Sequence, residues 1–228
     1  MYWQDDEQPQ TVNTDNAVVD LVFGLNCRSL PVDHVYALSQ AVQASLPWLV
    51  DEPEAGLHAI NVATSGNGWI RPEDPNALLH LSKRTRLELR VPAHRVSDAK
   101  ILEGAVLDVA GNTLEVKSAT ERPLVTLTTL FSRAIATDQD MAVEEQVLDW
   151  VYAQLQALDI KPRKMMCGTE HFIGTPDARI RTRSLMIAGL EVDESLRLQQ
   201  KGIGPYRHLG CGLFIPHKGI DDLRKQND

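Results

Sequence analysis

Hydrophobic and polar positions alternate along this chain in helical and strand periods, and the elements they predict come in one order, twice. Ala17–Asn26 is rich in β-branched and apolar residues, the composition of a buried strand. Pro31 and Asp33 punctuate the chain, and Val35, Leu38, Ala41, Val42 and Leu46 follow at helical spacing. This predicts a helix over 34–46, capped by Asp33 and closed by Pro47. After the acidic turn Asp51–Gly56, a second strand is expected over Leu57–Ala63, and Ser65–Gly68 with Arg71–Pro75 marks a long loop. Leu81–Val91 alternates apolar and charged side chains, as a half-buried strand does. A short helix over Val96–Leu102 and a strand over Asn112–Val116 complete a β-α-β-β-α-β series, the ferredoxin-like plan.

The second series begins near Arg122. Leu124–Ala136 reads as a strand, and Met141–Leu158 as a helix with Val143, Val147, Trp150, Val151 and Leu155 on one face. Residues 163–173 and 179–190 form an expected hairpin turned at Gly174–Asp177, and Asp193–Gln200 a short helix. The last strand is the apolar run Leu213-Phe214-Ile215. The expected fold is therefore α+β, two tandem ferredoxin-like domains over 17–121 and 122–228, with the polar, acidic residues 1–16 as a mobile arm.

At 228 residues, 43% hydrophobic and 24% charged, the chain has the composition of an ordinary soluble protein. It contains no apolar run near the ~20 residues of a membrane span and no signal-peptide pattern at its N-terminus. Cys27, Cys167 and Cys211 are far apart, and no CxxC or HExxH spacing suggests a metal site. A reducing cytoplasm is the expected compartment. The formal net charge of −8 argues against nucleic acid as a partner until it is mapped. Residues 1–60 hold nine acids against Arg28 alone, so the remainder is neutral overall and basic in places. One basic run carries Arg84, Arg86 and Arg90 at a common strand parity; another carries Arg163, Lys164, Arg179, Arg181 and Arg183. Phosphate recognition depends on such local patches, although a charge run alone is more often a solvated face.

The most distinctive stretch is Lys201-Gly-Ile-Gly-Pro-Tyr-Arg-His-Leu-Gly-Cys-Gly-Leu-Phe-Ile-Pro-His217. Gly202, Gly204, Gly210 and Gly212 give a GxGxxxxxGxG pattern, which leads into an apolar strand. Glycines permit positive φ and close approach of a backbone with its N–H groups turned outward. Neither a phosphate-binding GK[ST] nor a dinucleotide GxGxxG context is present. The stretch resembles the glycine-rich loop of the RAMP-superfamily RNA-binding proteins of CRISPR systems. Within that superfamily, GIGPYRHLGCGLFIPH is most similar to the endoribonucleases that cut CRISPR repeat RNA into guide RNAs, with the best fit to the Myxan subtype.

The resemblance implies cleavage without a metal or other cofactor. A histidine takes the proton of a 2′-hydroxyl, which attacks the adjacent phosphate to leave a 2′,3′-cyclic phosphate and a 5′-hydroxyl. Histidine suits the step because its ordinary pKa lies near neutrality. The family places this residue on the first helix or before the second strand. Here that region offers His58, at the entry to the second strand, and His34, at the start of the first helix, with His58 preferred. Some members use a histidine further along the helix after a tyrosine; here Tyr36 is present but the matching position is Ser39. Lys201, Arg207 and His208 would flank RNA phosphates at the glycines, and the basic hairpin would enter the groove of a repeat stem-loop. His80 and His94 read as surface or RNA-facing residues, and a lone histidine is in general more often structural than catalytic. Expected partners are CRISPR repeat RNA and other subunits of an effector complex, with no membrane. The alternative reading is a non-catalytic RNA-binding subunit of such a complex.

Overall fold

Apolar residues spaced for strands and helices are gathered into two sheets, each with its own helical layer. The computed structural model describes residues 17–61, 77–138, 140–141 and 143–217. The expected arm 1–16, the end of the expected second strand at 62–63 and the long loop that follows it lie outside the described residues. In chain order the elements are β1 (Val18–Asn26), β2 (Ser29–Pro31), α1 (Val35–Ser45), β3 (Gly56–Leu57), β4 (Leu78–His80), β5 (Arg86–Pro92), α2 (Val96–Ala99) and β6 (Val106–Val109). There follow β7 (Asn112–Pro123), β8 (Thr129–Ala136), α3 (Glu144–Ala157), β9 (Lys164–Gly174), β10 (Arg179–Ala188), α4 (Val192–Lys201) and β11 (Phe214–Pro216).

The first sheet is ordered β3-β5-β1-β7-β6 and the second β11-β8-β10-β9, with a small β2-β4 ribbon beside them. All the pairings are antiparallel. In each sheet the first strand of the series (β1, β8) lies between the third (β5, β10) and the last (β7, β11), and the second (β3, β9) is outermost beside the third. Both units therefore carry the ferredoxin-like order, and the chain passes from one to the other between Pro123 and Thr129. The strand β6 extends the first sheet by pairing with β7. They join through Ala110 and Gly111, at φ 51° and 78°, the left-handed pair that suits a two-residue hairpin.

Alternation along β1 sends Leu21, Phe23 and Leu25 to the helix side, where they pack with Leu38 and Val42 of α1. Leu130, Leu185 and Ile187 do the same with Val147, Val151 and Leu155 of α3 and Leu198 of α4. Each such fully buried side chain contributes about 1.5–3 kcal/mol. A third cluster, Val35, Ala136, Ile173, Leu209 and Cys211, takes members from both units and closes the seam between them. The expected Leu81–Val91 strand starts only at Arg86, because Ser82–Thr85 is a turn closed by the Thr85 N–H to the Ser82 carbonyl at 3.0 Å. The second strand is cut to Gly56–Leu57, so His58 stands just beyond the paired residues.

Candidate active site

The face of β1 away from the helices carries Asp20, a buried carboxylate in the middle of the first sheet. The register puts Arg90 opposite it on β5 and Arg122 opposite it on β7, so one line of side chains crosses three strands. Arg90 is fully buried. It donates Nε to Asp20 Oδ1 at 2.8 Å and Nη2 to Oδ2 at 3.1 Å, while Nη1 donates to the carbonyls of Phe214 (2.7 Å) and Gln199 (2.9 Å). A planar guanidinium is the cation that can satisfy a carboxylate and two carbonyls at once. Burial by itself would push the Asp20 carboxyl up, but the Arg90 charge and hydrogen bonds hold it below the usual carboxylate range. The expectation that Arg90 faces RNA is thus corrected. Its strand parity was read properly, but that face is covered by the second unit.

His58 sits beside this line. Its backbone N–H donates to the Glu88 carbonyl at 3.0 Å, which fixes the ring at the end of β3. Nε2 is buried, 3.9 Å from Asp20 Oδ1, and makes no hydrogen bond among the described residues. Burial, together with the positive field of Arg90, pushes the imidazole down to about 3, against the opposing pull of Asp20. The ring is therefore neutral at physiological pH. Most buried polar atoms are hydrogen-bonded, so one left without a partner calls for an explanation, a ligand being one.

Two clefts meet at His58. The larger, about 500 Å³, runs between the sheets and is lined by Asp20, Arg86, Glu88, Arg122 and Arg133 among others. The smaller, about 90 Å³, continues toward β9 and takes in His171 and Thr182. His58, Ala59, Asn61, Arg133 and Ile215 line both. Arg122 is held by Glu88 at 2.6 Å and Asp20 at 3.4 Å, so one end of the larger cleft is a mixed but ordered charged wall.

The glycine-rich loop has a different local task from the one expected of it. The N–H groups of Gly202, Gly210 and Gly212 donate to the carbonyls of Leu198, Arg207 and Ala134, so these three are turned inward. Gly202 makes room for the Arg207 guanidinium, and a side chain there would also meet the Gly212 carbonyl. Arg207 itself donates to the carbonyls of Ala55, Glu54 and Gln200, and Lys201 pairs with Glu54 at 2.6 Å. The Ser39 hydroxyl donates to the His208 carbonyl at 2.7 Å. The loop thus fastens the second unit onto α1 and β3, beside His58. Arg207 thus spends its Nε and Nη2 on the protein, while Lys201 stays half-exposed in its pair with Glu54. Gly204 packs near the Trp150 ring, and Gly210 lies against the backbone of Leu57 and Ala59.

The family model described as Cas6 Crispr matches residues 19–219. The chain belongs to the Cas6 family. The CRISPR-associated endonuclease Cas6 of Myxococcus xanthus (strain DK1622) is 28% identical over 198 residues, which cover 87% of this chain and 81% of that protein. Among solved structures, one described as CRISPR associated protein Cas6 superposes with a TM-score of 0.60 at 11% identity, covering 88% of this chain and 100% of its own. Another, described as an RAMP protein binding different RNA substrates, gives 0.61 at 14% identity with the same coverages. These likenesses bear out the tandem ferredoxin-like fold.

Relative to the residues expected from a Cas6 sequence, the structure brings some to the clefts and leaves others apart. His34 is buried at the start of α1, with Nδ1 2.9 Å from the Pro31 carbonyl, and lines neither cleft. His208 is half-buried, with its ring edge-on to Tyr206, and burial lowers its pKa. Arg86 is exposed and lines the larger cleft; Arg84 is exposed on the Ser82–Thr85 turn. On the β9–β10 hairpin, Arg179 stacks on Phe172 at 4.7 Å, and Arg181 and Arg183 both approach Glu170, at 3.6 and 3.4 Å. Lys164 is exposed at the start of β9, and Arg163 pairs loosely with Glu191 at 3.7 Å. Asp20, Arg122, Arg133 and His171 were not among the expected site residues; cross-strand register and the packing of two sheets bring them to the clefts at His58. No helix among the described residues is long and apolar enough to cross a membrane.

Proposed function

We propose that this Cas6-family chain is a metal-independent endoribonuclease that cuts CRISPR repeat RNA, with His58 as the general base. Its two units are taken to be RNA-binding, and the boundary expected near residue 121 is moved to the end of strand β7 at Pro123. The observation that carries the catalytic assignment is the position of His58 at the junction of two clefts, one of them walled by Arg86, Arg122 and Arg133. RNA laid along the larger cleft would present phosphates to those guanidinium groups and a 2′-hydroxyl to the imidazole.

The chemistry follows from the surroundings of the ring. Asp20, ionised and 3.9 Å from Nε2, favours the tautomer with its hydrogen on Nε2 and leaves the Nδ1 lone pair for the substrate. Nδ1 takes the 2′-hydroxyl proton, O2′ bonds to phosphorus, and the P–O5′ bond breaks. O5′ takes a proton from water, and His58 returns its own to solvent. A base pushed down to about 3 is weak in the empty protein. Phosphates entering the cleft offset the Arg90 and Arg122 fields and raise its basicity when substrate is in place. The exposed cations Lys164 and Arg179 of the hairpin, with Arg84 at the sheet end, supply phosphate contacts to the flanking RNA.

The test is incubation of the purified chain with the repeat RNA of the host's own CRISPR array in excess EDTA, followed by end-group analysis. A 2′,3′-cyclic phosphate and a 5′-hydroxyl at one position are expected. Tight binding without a cut would leave the RNA-binding subunit; a cut abolished by EDTA would remove metal independence.

A further inference from the structure

Arg133 is a candidate that neither the loop motif nor the basic runs indicated. It sits on β8, the strand of the second sheet flanked by β10 and β11, in an otherwise apolar and hydroxyl-bearing stretch. Its side chain is exposed. Among the described residues, His58 and Arg133 are the two ionisable ones that line both clefts. The other described cationic groups of the larger cleft have part of their donors in use. Arg122 is paired with Glu88 and Asp20, and Arg86 Nη1 donates to the carbonyls of Lys83 and Thr85, both at 2.9 Å. Arg133 makes no hydrogen bond or ion pair within 4.0 Å among the described residues; burial pushes its pKa down, against the opposing pull of the Glu88 charge. A guanidinium at the junction of the clefts, with its five donors unspent among the described residues, is suited to two oxygens of one phosphate.

We infer that Arg133 is a catalytic residue of the proposed cleavage, donating to the non-bridging oxygens of the scissile phosphate while His58 takes the 2′-hydroxyl proton. This rests on the reading of the chain as a nuclease. As O2′ bonds to phosphorus, negative charge accumulates on those oxygens, and a donor already in place stabilises that charge more than it does the ground state. It also assigns the two units separate tasks: the first supplies the base, and the second supplies the electrophilic clamp. The junction between them, sealed by Arg90 and the glycine-rich loop, then sets the distance between the two groups.

The experiment compares wild type, Arg133→Ala and Arg133→Lys on the host's repeat RNA, under single-turnover conditions with enzyme saturating, alongside equilibrium binding of the same RNA carrying a 2′-deoxy block at the cut. Removing one donor of this kind costs about 10²–10³-fold in the chemical step. Arg133→Ala is therefore expected to cut about 10²–10³-fold more slowly at saturation, with affinity within a few fold of wild type. Arg133→Lys recovers part of the rate, since it keeps the charge but loses the fork. A single phosphorothioate at the scissile phosphate should slow wild type and have less effect on Arg133→Ala. That readout stays available should the alanine variant fold poorly, because it can be made on wild type and Arg133→Lys. A saturated rate equal to wild type in Arg133→Ala, with only affinity reduced, would overturn the assignment while leaving the nuclease in place. A wild-type protein that binds but never cuts would overturn the nuclease reading itself.

Discussion

Arg90→Met is the perturbation whose consequence can be worked most fully from the structure. The guanidinium is fully buried and satisfies both Asp20 oxygens and the Gln199 and Phe214 carbonyls, so methionine removes four hydrogen bonds while nearly filling the space. Breaking a buried ion pair by removing one partner costs about 3–5 kcal/mol, because the remaining charge is left uncompensated. Arg122, 3.4 Å from Asp20 Oδ2, softens this in part. Each carbonyl left without a donor adds about 1 kcal/mol or more. The expected loss is about 5 kcal/mol, a third or more of the stability of an ordinary domain. Asp20→Ala alone leaves Arg90 with its two carbonyls and should cost about 3 kcal/mol. The double variant should lose at least about 2 kcal/mol less than the sum, since it strands no charge. Urea unfolding followed by far-UV circular dichroism gives all four corners of the cycle. A loss below about 1 kcal/mol for Arg90→Met, or an additive cycle, would refute the reasoning that Arg90 and Asp20 form a coupled buried ion pair.

Three further outcomes follow from the same geometry. Gly212→Ala places a Cβ into the Ile203 carbonyl at a φ of 67°, and should destabilise by about 2–4 kcal/mol in thermal or urea unfolding. Lys201→Ala removes a half-exposed pair with Glu54 and should cost no more than about 1 kcal/mol, so a large effect would mean that the loop is held otherwise. His58 links stability to pH. Its folded pKa is about 3 against an ordinary 6.5, so as pH falls below 6.5 the unfolded chain takes up a proton that the folded chain refuses. Stability should drop across that window by up to about 1.4 kcal/mol per pH unit. Between pH 7 and 5 wild type should lose about 2 kcal/mol more than His58→Gln; equal slopes would show that the ring is not held neutral.

The regular elements were largely legible because each carries its own periodicity. The helix over 35–45, the long helix after Glu144 and the basic hairpin all form near their expected limits. Strand β6 was missed, since Val106–Val109 is too short for its alternation to stand out beside the turn that joins it to β7. The site was legible only at its first residue. The glycine pattern pointed to the right region, but its function in sealing the two units depends on carbonyls of Ala55 and Glu54, about 150 positions away, at 3.0 and 3.1 Å from Arg207. Arg90 reads as an exposed strand cation because its partner Asp20 is 70 residues distant. Arg133 is a single charge in an apolar strand, and only the juxtaposition of the sheets gives it a neighbour worth noting.

His58 as the base is tested by the single-turnover cleavage rate of host repeat RNA in excess EDTA for wild type, His58→Ala and His34→Ala, with affinity measured on the same RNA. Loss of cutting by at least about 10²-fold in His58→Ala with binding retained is expected, since general-base catalysis contributes at least that much. Properly folded His34→Ala should cut at a rate near wild type, because His34 lines neither cleft. Cutting that survives in His58→Ala, or disappears only in a folded His34→Ala, would contradict the account.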